Sequence, residues 1–123
     1  MVWNPCSLEQ LQTVMVEELA ECSADLRAYF FRVRFAPEKW QLEPWGDAGG
    51  GFWAVAADAN RVLWWNDLEG GWNVSSFETR RRIPGGQYWC NQDALKCALP
   101  LLAGRPGARY GPPQSIPVWP PPD

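Results

Sequence analysis

The stretch from Phe52 to Phe77 constrains this chain more than any other. Strand-like runs at residues 52–57, 61–66 and 72–77 are separated by Asp58, Ala59 and Asn60, and then by residues 67–71. That spacing predicts three antiparallel strands joined by hairpins, with left-handed backbone at Asn60 and at Gly70 and Gly71. With Ala57 opposite Val62 and Asn66 opposite Trp72, one face carries Trp53, Val55, Val62, Trp64, Trp72 and Val74. The other carries Phe52, Ala54, Ala56, Leu63, Trp65 and Phe77. A central strand apolar on both faces does not leave one side in water. Either more of the chain covers the second face, or a ligand binds there.

Before this sheet, Ser7 and Gln10 form a capping-box pattern. Leu8, Leu11, Val14, Met15, Leu19 and Cys22 then recur at helical spacing, which predicts an amphipathic helix over residues 8–21. From Leu26 the period reads as two, because Tyr29, Phe31, Val33 and Phe35 alternate with Ala28, Phe30, Arg32 and Arg34. A strand is expected there, followed by a turn at Pro37, Glu38 and Lys39 and a returning strand at residues 40–42. Residues 45–51, ending in Gly49, Gly50 and Gly51, read as a loop. After the sheet come a turn at residues 83–86, a short extended run at 87–90, and Asn91 as cap of a second helix. Leu95, Leu99 and Leu102 mark that helix, which ends near Gly104.

The expected fold is α+β: an N-terminal helix, a mainly antiparallel sheet of about five strands, a C-terminal helix and a Pro-rich tail. Residues 1–104 form one domain. Residues 105–123 hold seven of the chain's twelve prolines and are expected to be extended or disordered, lying over the sheet or offering PxxP spacing to a partner.

Nine tryptophans and no histidine, in 123 residues, set the chemistry. Ser-His-Asp, Cys-His and HExxH arrangements all need an imidazole that this chain lacks. Four cysteines without a CxxC pair read as reduced thiols rather than a zinc site, and no cofactor or metal is implied. A net charge of −3 gives no general pull toward nucleic acid, and Arg80, Arg81 and Arg82 read as a solvated loop. No run approaches the ~18 apolar residues of a membrane span, and no export signal opens the sequence; a cytoplasmic location is expected.

The segments "GFWAVA", "NRVLWWNDLEGGWNVSSF" and "YWCNQDAL" resemble a family of small, Trp-rich bacterial α+β proteins. The resemblance spans residues 51–102 and brings no catalytic assignment. It implies a small bacterial protein of the kind that includes immunity proteins, which neutralise a toxin by binding it.

The residues themselves favour binding another protein over catalysis. Trp64, Trp65 and Trp72 supply anchors, while Asp58, Asp67 and Glu69 supply charge to steer a basic partner. The hairpin around Asp67 is the expected binding site. Two other readings use the same residues. Aromatic plates beside Asn66, Asn73 and Gln87 would suit a sugar ring in a carbohydrate-binding module. Asp67 and Glu69 as paired carboxyls would suit a glycoside hydrolase.

Overall fold

The structure, a computed structural model, describes residues 5–43 and 50–104. Three helices pack on one face of a four-stranded antiparallel sheet, and an irregular segment of the chain returns over the other face.

Helix α1 (Leu8–Leu19) begins as its capping box requires: Ser7 Oγ accepts from Gln10 N at 3.1 Å while Ser7 N donates to Gln10 Oε1 at 2.9 Å. It carries no basic residue in its last turn. Arg27 of the next helix supplies that charge instead, donating to the Cys22 carbonyl at 2.5 Å and to that of Leu19 at 3.5 Å.

Residues 24–33 are helical, not the strand expected from their alternation. Helix α2 (Ala24–Val33) is capped by Ser23, whose Oγ accepts from Leu26 N at 3.2 Å. It buries Tyr29 and Phe30 and packs Leu26 and Val33 beside them. Positions 26, 29, 30 and 33 are the i, i+3, i+4, i+7 set of a helix, so the same residues satisfy both periods over a short window. The cap decides between them, because it satisfies a first-turn N–H that a strand would leave to a neighbour. Phe31 then falls off the buried stripe and is half exposed, at 51%.

Strand β1 (Arg34–Trp40) follows without a loop and runs straight through Pro37. The expected turn at Pro37 and the separate strand at 40–42 do not form, which is why the sheet has four strands rather than about five. Pairing with β2 (Phe52–Asp58) is irregular between Arg34 and Glu38, and Pro37 lies in that stretch of an edge strand. Those are the places where a missing N–H is tolerated. Gly51, just before β2, sits at φ +110°, and a Cβ there would collide with the Trp40 carbonyl.

Strands β2, β3 (Arg61–Asn66) and β4 (Gly71–Ser76) form the expected meander. Ala57 pairs with Val62 as expected, but Asn66 lies opposite Gly71 rather than Trp72. A bulge inserts Val55 between the Ala54 and Ala56 pairs and reverses the parity of β2 along its length. Together these overturn the expected faces. Val55, Ala56, Leu63, Trp72 and Val74 face the helices. Val62 and Trp64 lie instead with Phe52 and Ala54 on the opposite side. A one-residue slip moves a side chain across the sheet, so both errors are of the size that matters. The first hairpin places positive φ at Ala59 (55°) rather than Asn60, and the second places it at Gly70 (79°).

The second face is covered by residues 79–91. Ile83 N donates to the Gln41 carbonyl at 2.7 Å, a 3-10 turn spans Gly85–Gln87, and Ile83 and Tyr88 close over Trp40, Phe52 and Trp64. Residues 87–90 are not a strand, so their carbonyls lack a ladder. Buried side chains replace it: Ser75 Oγ donates to the Gln87 carbonyl at 2.6 Å, Asn66 Nδ2 to that of Trp89 at 2.8 Å, and Asn73 Nδ2 to that of Asn91 at 3.0 Å. Trp64 Nε1 donates to the same Ser75 hydroxyl at 2.9 Å.

Helix α3 (Leu95–Leu102) starts at Ala94, not at the expected Asn91 cap. Its first N–H is held by Glu18 of α1, whose Oε1 accepts from Leu95 N at 2.7 Å. At the other end Arg61 Nε donates to the Leu102 carbonyl at 2.7 Å. The Pro-rich tail at 105–123 lies outside the described residues. None of the helices among the described residues is long and apolar enough to cross a membrane.

Candidate functional site

The hairpin expected to bind a partner is occupied with holding its own chain. Trp64 and Trp72 have no exposed surface and sit on opposite sheet faces. Trp65 is half-buried, edge-on to Trp72 at 5.1 Å between ring centres. Asp67 accepts from Cys6 N at 2.7 Å while Trp53 Nε1 donates to the Cys6 carbonyl at 2.7 Å, so carboxylate and indole together pin the segment before α1. Glu69 receives a long hydrogen bond, 3.5 Å, from the Tyr88 hydroxyl. Asp58 lies at the other end of β3 from Asp67, where it accepts from Tyr29 OH at 2.6 Å and fastens α2 to the sheet. The six residues thus do not form one patch.

Of the six tryptophans among the described residues, Trp40, Trp64, Trp72 and Trp89 are buried, and Trp53 and Trp65 are half-buried. The two half-buried rings already carry a neighbour, Trp53 the Lys39 ammonium at 5.0 Å and Trp65 the edge-on Trp72. The four cysteines are unpaired, and burial, the largest cause in each case, pushes the thiols of Cys6, Cys22 and Cys90 up. A raised thiol holds little thiolate at neutral pH and is a poor nucleophile.

The open apolar surface lies elsewhere, on the outer side of the α1 and α2 pair. A cleft of about 860 Å³ is floored by Met15, Leu19, Phe30 and Phe35 and rimmed by Val16 and Phe31. Val16, on α1, is 70% exposed, and Phe31, on α2, lines the same cleft. Gln12 and Arg34 are the polar side chains in the lining. Arg34 lays its guanidinium over the Phe31 ring at 4.8 Å, and Arg32 lies over Tyr29 at 5.5 Å. Beyond Val16 and Gln12 the surface continues into a shallower groove of about 470 Å³ lined by Glu9 and Glu17. Across this surface the order is basic, apolar, acidic.

The alternating reading of residues 26–35 hid this cleft, because it set Phe31 on one face with Tyr29. In the helical reading Phe31 is the apolar residue left off the buried stripe, and that is the signal that finds it. Glu38 is a further cluster outside the expected site: Arg80 and Arg81 both bridge to it, at 2.9 and 3.2 Å, and Arg80 stacks over Phe35 at 4.7 Å. The expected solvated loop at 80–82 is in part a clamp on strand β1.

No family model, curated protein or solved structure matches this chain.

Proposed function

We propose that this chain is a binding domain without catalytic activity of its own, and that its binding face for another polypeptide is the cleft between α1, α2 and the start of β1. The observation that carries this is Val16 and Phe31 standing exposed around a large apolar cleft. Contiguous apolar surface of this kind is held in a folded chain against its own solvation cost, and an aromatic ring backed by an arginine is the usual anchor of a protein interface. The acidic groove beside it favours a partner surface that is basic where it meets Glu9 and Glu17. The sugar-binding reading has no exposed tryptophan among the described residues to rest on, and the carboxyls of the glycosidase reading are engaged with Cys6 and Tyr88.

A photoreactive amino acid at position 16 or 31, introduced one at a time in the cells that make the protein, tests the assignment. Discrete polypeptide adducts are expected from both positions and not from an equivalent probe at Glu78 on the far side of the sheet. Adducts from position 78 alone, or from none of the three, overturn it.

A further inference from the structure

We infer that the polypeptide this cleft receives is a second copy of the same chain, in a two-fold symmetric dimer. The inference rests on the reading of the cleft as a protein-binding face and adds the identity of the occupant.

A two-fold interface must be its own complement: whatever patch i meets patch j on the partner, j meets i. Few surfaces satisfy this by charge. This one does, because its base, Arg34, lies on the α2–β1 side of the apolar strip and its acids, Glu9 and Glu17, lie on the outer side of α1. Helix α1 contributes no base to blur the pattern. Turned through 180° and laid face to face, a second copy brings its basic side against the acidic groove and its acidic groove against the basic side. The two apolar strips, Val16 and Phe31, meet between them. A foreign partner would have to carry the reverse order of charge by its own design, whereas a copy supplies it by construction.

The charges are also available for the purpose. Arg80 and Arg81 pair with Glu38, whereas Glu9, Glu17 and Arg34 enter no ion pair among the described residues, and the Arg34 guanidinium that rests on the Phe31 ring stays exposed. By contrast, the inward-facing Glu18 and Arg27 are spent on helix ends. The mode of contact is fixed by Pro37. Edge strand β1 runs beside the cleft, but its irregular pairing and its missing N–H disfavour addition of a strand from another chain. Association therefore runs through side chains, helix against cleft, and not by extending the sheet.

The test is a charge exchange on the full chain, read by sedimentation velocity. One variant carries Glu9→Lys with Glu17→Lys, making both sides basic; the other carries Arg34→Glu, making both acidic. All three side chains are exposed, so thermal melts serve to confirm that both variants fold. Wild type is expected to dimerise and each variant alone to lose about tenfold or more in affinity. Mixed in equal amounts, the two variants are expected to recover a heterodimer of near wild-type affinity, since each basic side then meets an acidic one. Wild type that stays monomeric to about 1 mM overturns the inference. So does a dimer indifferent to either variant, or variants weakened alone that fail to pair when mixed. The photo-adducts separate this failure from failure of the binding reading. An adduct of twice the chain's mass supports the dimer. An adduct with a different polypeptide overturns it and keeps the cleft as a binding face, as does one internal to the chain whose cross-linked peptide maps to residues 105–123. Absence of any adduct sinks both.

Discussion

The second face of the sheet and the cleft outside α1 and α2 are built from the same kinds of residue, yet one is dry core and the other is open. On the sheet side Trp40, Phe52, Trp64 and Tyr88 are completely buried. In the cleft, Phe31 and Val16 are not. The difference lies in the polar groups nearby. Asn66, Asn73 and Ser75 point donors at three carbonyls of the returning chain and hold it down over the apolar rings. The cleft lining holds Gln12 and Arg34, and Arg34 lies on the rim over Phe31. An apolar face is closed where the chain can be fastened across it, and apolarity alone supplies no fastening.

The sharpest break in this contrast is a pair of alanine substitutions. Trp64→Ala should destabilise the fold by about 3–5 kcal/mol, as for any large aromatic removed from a closed core. Phe31→Ala, studied at concentrations too low for association, should change stability by no more than about 0.5 kcal/mol. Urea unfolding measures both, and comparable losses would erase the distinction between the two regions. Next in size is Gly71→Ala. The added methyl would run into the backbone of Gln92 and Asp93, and a cost of about 1–3 kcal/mol is expected. Gly86→Ala, within the covering segment itself and with open space around it, serves as the neutral control.

Ser75→Ala probes the fastening directly. It strands the Trp64 indole N–H and the Gln87 carbonyl at once, so about 1–3 kcal/mol should be lost, together with faster amide exchange across residues 79–91. No loss would mean that apolar contact alone holds the segment.

The smallest effect at neutral pH belongs to Tyr88. Burial raises its phenol well above the ordinary 10.0, with the Glu69 charge adding to the shift and the Asn66 side chain opposing it. Above pH 10.0 the unfolded chain gives up this proton while the folded chain keeps it. The folded state then binds more protons, and stability must fall as pH rises. Tyr88→Phe should cost no more than about 1 kcal/mol at pH 7, where the hydroxyl gives up its hydrogen bonds with Glu69 and Asn66, and should flatten the alkaline decline. A decline of unchanged slope in the variant would place its origin in another group.

The meander from Phe52 to Ser76 was legible because turn residues and strand runs agree there, and the Ser7 box because its two reciprocal bonds are local. Two things defeated the reading of residues 26–42. Tyr29, Phe30 and Phe31 in succession satisfy a period of two and one of 3.6 alike, and Pro37 breaks a strand or is tolerated in it according to whether that strand is an edge. The expected site residues do not gather into one patch for a related reason. Trp64, Asp67 and Trp72 are neighbours in sequence, but successive strand residues point to opposite faces, and the pairing of Asn66 with Gly71 rather than Trp72 puts Trp64 and Trp72 on opposite sides of the sheet. Asp67 and Asp58 looked free because their partners, Cys6 and Tyr29, are far away along the chain.

By itself, the sequence determined the α+β class, the antiparallel meander, the first helix and the exclusion of histidine-dependent chemistry. Each of these follows from interactions between residues close in the chain or from which side chains exist at all. Tertiary structure alone decided which apolar face is covered, which carboxylates are spent, and where Val16 and Phe31 come together around an open cleft. Those depend on contacts across tens of residues, where one bulge or one slip in register moves a side chain from core to surface, and no local pattern records the outcome.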